Sequence, residues 1–92
     1  MIFFDIGIVA QCGEKRIKDA KIFVYANHNP NSEMYETDEN GIALIKIMKD
    51  NYYNIEVRHP DFETCLLQNI VLEYPWSILA NLKTNSNNPT QQ

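Results

Sequence analysis

Basic residues are scarce in this chain: eight lysines and arginines stand against twelve aspartates and glutamates, for a formal charge of −4. Binding along a nucleic-acid backbone needs a clustered cationic surface, so this balance excludes nucleic acid as the expected partner. No apolar run approaches the ~20 residues that cross a bilayer, which excludes a membrane span. The opening stretch Met1 to Ala10 is apolar, but no basic residue precedes it and Asp5 interrupts it, so it does not read as a signal peptide. Gln11 is too large for the position before a lipid-bearing cysteine, which sets aside a lipoprotein site at Cys12. The expected location is the cytoplasm, or a particle assembled there. Cysteines number two, Cys12 and Cys65, which is no disulfide framework; both are expected to be reduced and partly buried. An Asn-x-Ser/Thr acceptor is also missing, since Asn88-Pro89-Thr90 is excluded by its proline.

What the chain does have is enough apolar material for one thin core. Of its 92 residues 45% are hydrophobic and 22% charged, which places it among folded domains and outside the disordered class. A domain of this size buries only ~60% of its unfolded surface.

Period-two alternation dominates. Ile2, Phe4, Ile6, Ile8 and Ala10 mark one face of a first strand, and Cys12-Gly13-Glu14-Lys15 forms a turn. Ala20, Ile22, Val24 and Ala26 alternate with Lys21, Phe23, Tyr25 and Asn27. The cluster His28 to Ser32 is a loop, and Met34 to Thr37 a short strand closed by Asp38-Glu39-Asn40-Gly41, where Asn-Gly supplies the positive φ of a tight hairpin. Ile42 to Met48 is apolar at nearly every position except Lys46, which predicts an interior strand. Tyr53, Ile55 and Val57 alternate with Tyr52, Asn54, Glu56 and Arg58, and His59-Pro60-Asp61 is a turn. Short strands are predicted over Phe62 to Leu67, Ile70 to Tyr74 and Ile78 to Leu82. Residues 83–92 lack large apolar side chains and read as a flexible polar tail after a single domain, residues 1–82. About seven strands at intervals of ~8–12 residues with no helix predict an all-β, antiparallel sandwich; periodicity alone leaves a barrel as the competing arrangement.

Gly7-x-Val9, Gly13, Ile17-x-x-Ala20-x-Ile22-x-Val24, Thr37-Asp38-x-x-Gly41, Tyr53-x-Ile55-x-Val57, His59-Pro60-Asp61-Phe62 and Ile70-Val71-Leu72 together resemble the carboxypeptidase regulatory-like domain, over residues 7–74. That resemblance implies a seven-stranded Greek-key sandwich of the prealbumin (transthyretin) type, an accessory role, and no shared catalytic residues. Asp5 stands where the family usually carries an apolar residue, and Asp61 where a glycine is frequent.

Chemistry-bearing residues are thinly spread. His28, His59, Cys12 and Cys65 are not at metal-ligand spacing, so no metal is expected. Asp38-x-Asn40-Gly41 echoes half a calcium loop without its later glutamate, and a plain turn accounts for it. Ser32, Ser77 and Ser86 lack a nucleophile setting. The prealbumin-like fold hosts one enzyme, the hydroxyisourate hydrolase, whose Tyr-Arg-Gly-Ser terminus differs from Asn88-Pro89-Thr90-Gln91-Gln92 here. An internal Lys–Asn isopeptide bond would draw on Lys21, Asn69 and Glu56, but the phase of Lys21 and Glu56 points both away from the core that would neutralise the amine. No catalytic activity and no cofactor are expected.

Aromatic side chains are the more informative set. Phe23, Tyr25 and Tyr52 fall out of phase with the apolar faces of their strands, and Tyr74-Pro75-Trp76 closes the resembling region beside a proline that limits pairing. Read as function, these five aromatics dock a protein partner, with Lys21, Glu56 and Arg58 as a polar rim. Read as architecture, they are cross-strand pairs worth ~0.2–1 kcal/mol each. The expected function is a non-enzymatic structural or interaction subunit of a larger assembly, such as a phage tail or contractile injection particle. The alternative is a carbohydrate-binding accessory module that stacks sugars on the same aromatics.

Overall fold

The computed structural model describes residues 2–26 and 31–85. They form eight strands and no helix: β1 (Phe3–Cys12), β2 (Lys15–Arg16), β3 (Lys21–Ala26), β4 (Ser32–Glu36), β5 (Ile42–Met48), β6 (Tyr53–His59), β7 (Phe62–Ile70) and β8 (Ile78–Asn81). The first sheet is centred on β1. Strand β5 covers one edge of β1 from Phe3 to Val9, and β2 continues that edge at Gln11 and Cys12. Strand β8 takes the opposite edge, pairing Ile8 to Gln11 with Ile78 to Asn81. The second sheet has the order β4-β3-β6-β7, all antiparallel.

The core follows from the alternation. Ile6, Ile8 and Ala10 of β1, Ala43, Ile45 and Ile47 of β5, and Ala80 of β8 meet Ile22, Val24, Tyr53, Ile55 and Val57 of the second sheet in one buried cluster. Ala20, Ile22, Val24, Tyr53, Ile55 and Val57 therefore all lie inside, as their shared phase predicts.

Thr37 is buried, and its hydroxyl accepts from the Ala20 amide (2.9 Å) and donates to the Ile17 carbonyl (2.7 Å), tying the β2–β3 connection to the end of β4. The Thr-Asp-x-x-Gly motif continues with Asp38, whose carboxylate accepts from the Asn40 and Ile42 amides. Gly41 has φ +75°, and a Cβ there would lie 2.8 Å from the Ala10 carbonyl oxygen, so both conformation and space demand glycine.

Five expectations change. Eight strands replace seven, and β8 runs parallel to β1, so the first sheet is mixed; alternation carries no information about a partner's direction. The motif at Asp38–Gly41 is not a hairpin, because β4 pairs with β3 and β5 with β1, and the turn carries the chain from one sheet to the other. Ile42–Met48 is an edge strand, with Leu44 69% exposed; its second apolar face meets solvent, not a second layer. The stretches Phe62–Leu67 and Ile70–Tyr74 are not two strands. One strand, β7, runs through to Ile70, because Asn69 takes a left-handed φ of 57° in a bulge and its amide is held by the Asn54 side chain at 3.0 Å. At the start of the polar tail, Thr84 bridges to Phe62 and the Glu63 amide donates to the Lys83 carbonyl, while residues 86–92 lie outside the described residues.

Candidate interaction surfaces

The outward face of the second sheet carries two of the five singled-out aromatics. Phe23 of β3 lies between Met34 of β4 and Glu56 of β6, with Leu66 of β7 next in the row. Arg58 sets its guanidinium over the Phe23 ring, 4.8 Å from the centroid, and pairs with Glu56 at 2.8 Å. The Tyr25 hydroxyl reaches the same Glu56 oxygen at 3.4 Å. Phe23 and Tyr25 are thus outward but half-buried, roofed by charged neighbours, while Met34 (53%) and Leu66 (54%) are the exposed apolar groups of this face.

The other three aromatics lie elsewhere. Tyr52 precedes β6 and is 48% exposed. Tyr74 and Trp76 lead into β8, in the first sheet, so they form no edge beside β3 and β6. The Trp76 amide donates to the Tyr74 carbonyl at 2.8 Å, an i to i+2 bond around Pro75, whose fixed φ suits a γ-turn. This turn pushes both aromatics outward, to 62% and 64% exposure.

Sequence alternation does not mark the outward face of the first sheet. Val9 stands between Ile42 of β5 and Leu79 of β8, and Gly7 lies opposite Leu44 in the next outward row. Leu44 and Leu79 (49% exposed) project around the dent at Gly7, where Ile42 and Ser77 are the nearest side chains. Asp5 faces outward on the same sheet and pairs with its cross-strand partner Lys46 at 3.6 Å, which accounts for an acid inside an apolar strand. The available signal was the apolar second face of Ile42–Met48, which reads equally as interior burial.

Side chains cover three amides along the open edge of β5. Asp38 accepts from the Ile42 amide, the Tyr35 hydroxyl accepts from the Lys46 amide, and the Tyr53 hydroxyl accepts from the Met48 amide at 2.8 Å. Tyr35 donates in turn to Glu33 at 2.8 Å. Burial, followed by the neighbouring Glu33 carboxylate, raises the Tyr35 phenol above its ordinary value.

The candidates for bond-making chemistry are dispersed. His59 accepts from the Asp61 amide at 3.1 Å and meets Phe62 edge-on at 5.2 Å, which fixes the β6–β7 turn; His28 lies outside the described residues. Cys12 and Cys65 are free, half-buried thiols packed against the core, and burial raises the Cys65 thiol. Among the described residues no three His, Cys, Asp or Glu side chains cluster as a metal site. Lys21 lies opposite Arg58 in the β3–β6 register and Asn69 lies beside Asn54, so the lysine and asparagine of an isopeptide bond are not brought together.

No family model matches this chain, and no curated protein matches it. Among solved structures it is similar in fold to the Bacillus anthracis TIE protein, with a TM-score of 0.66 and 16% identity over 90% of this chain. The match occupies 18% of that protein, so this chain spans less than a fifth of its length. No helix of the described residues is long and apolar enough to cross a membrane.

Proposed function

We propose that this domain is a non-enzymatic structural and interaction module, a prealbumin-like Greek-key sandwich of the carboxypeptidase regulatory-like kind, working within a larger protein assembly. The observation that carries the reading is the outward face of the first sheet, where Ile42, Val9 and Leu79 stand in one row beside exposed Leu44. Exposed apolar groups adjacent in register form the kind of patch that protein partners cover. A fold of this kind also occupies a small part of a much longer chain, which suits a module.

The partner surface centres on Leu44 and Leu79, with Trp76 and Tyr74 on the segment leading into β8; Phe23 and Tyr25 contribute less because Arg58 and Glu56 already engage them. The test is native mass and co-purification from the cells that make the protein. Leu44→Lys is expected to abolish a defined complex while Lys21→Ala leaves it intact. A complex indifferent to Leu44→Lys would overturn this choice of surface. The exposed pair Tyr74 and Trp76 favours one second reading, sugar stacking. Retention on a glycan array that Trp76→Ala removes would put the carbohydrate module first.

A further inference from the structure

We propose that this domain is a tension-bearing link, an inference that rests on the structural-module reading and gives it a mechanical task. The first and last strands of the described residues, β1 and β8, are hydrogen-bonded neighbours and run parallel. The chain consequently enters β1 at one end of the first sheet and leaves β8 at the other. Tension drawn along the polypeptide pulls these two strands past each other along their own axes. The hydrogen bonds of a parallel ladder are evenly spaced and slant from strand to strand, so this load falls on all of them at once. A hairpin pulled at its open end is instead unzipped one pair at a time.

The contact is built to be loaded. Ile8, Val9, Ala10 and Gln11 pair with Ile78, Leu79, Ala80 and Asn81, and the Leu82 amide extends the ladder to the Gln11 carbonyl at 2.8 Å. Ala10 turns its amide and carbonyl to the opposite edge, toward Gly41 and Ile17, so β1 is held on both sides at once. Ile8, Ala10 and Ala80 are fully buried and Leu82 nearly so, which keeps water from replacing the strained bonds on the inner face. Both ends of the path are tied down before the load reaches this ladder. The Lys49 amide donates to the Ile2 carbonyl at 2.8 Å, and the Glu63 amide donates to the Lys83 carbonyl at 2.8 Å, which passes force from the end of the path into the second sheet.

Direction-dependent single-molecule unfolding of the full chain tests this. Azide-bearing residues replace either Ile2 and Asn85, which load β1 against β8, or Ile2 and Lys49, which sit together at one end and peel β1 from β5. At one loading rate, unfolding through residues 2 and 85 is expected to need about threefold or more the force needed through residues 2 and 49, because forced unfolding reports the barrier along the pulled path. A smaller ratio, or the reverse order, overturns the load-bearing role. Such a failure would leave the module reading untouched, because that reading stands or falls on the complex lost by Leu44→Lys.

Discussion

Thr37 shows how one side chain fixes a connection. It satisfies a buried amide at Ala20 and a carbonyl at Ile17, so Thr37→Val keeps the shape and orphans both groups. A loss of about 1–3 kcal/mol is expected, read as a lower urea midpoint at unchanged slope. Gly41→Ala is expected to cost about 1–2 kcal/mol from its left-handed φ, with the Ala10 carbonyl contact adding to it. Tyr35 and Cys65 both contribute to the response to alkali. Both groups hold their protons more tightly in the folded chain than at the ordinary values of 10.0 and 9.0, so their contribution is complete below that range and is lost as pH rises through it. The urea midpoint is expected to fall above pH 9, and Tyr35→Phe to make the fall shallower; an identical pH profile in the variant would remove Tyr35 from the account.

At the scale of the element, alternation was the legible signal. Strands β3 and β6 have one apolar phase each, and Ile22, Val24, Ile55 and Val57 point where that phase puts them. Strand β5 has two apolar phases, and nothing local distinguishes a strand buried on both faces from one with an exposed apolar face. The two readings differ in cost. With Leu44 exposed and Ile45 buried, Leu44→Lys is expected to change stability by no more than about 0.5 kcal/mol, whereas Ile45→Ala costs about 2–5 kcal/mol. Comparable losses at both positions, measured by urea unfolding, would return β5 to the interior. The Asp-x-Asn-Gly turn was legible as a turn, but not as a sheet-to-sheet crossing, because pairing partners are set by tertiary contacts. The cover that Asp38, Tyr35 and Tyr53 give three amides of the β5 edge was likewise hidden, since those hydroxyls and that carboxylate come from separate segments. The result is an edge that is poorly suited to adding a foreign strand.

For the whole molecule, two sheets enclose one core, and the proposed interaction surface lies on an outer face. The aromatics that sequence grouped as one site divide between the sheets, because residues 74–76 cross to β8 and not to the strands bearing Phe23 and Tyr25. The face with Leu44 and Leu79 exists because β5 and β8 lie on opposite edges of β1, a non-local pairing that no spacing rule reports. The most direct measurement of the central claim is photo-crosslinking in the cells that make the protein, with benzoylphenylalanine at position 44, 79 or 21. An interaction module that docks through its first sheet predicts the same protein partner captured from positions 44 and 79, and none from position 21. Capture of a partner from position 21, with none from 44 or 79, would contradict it.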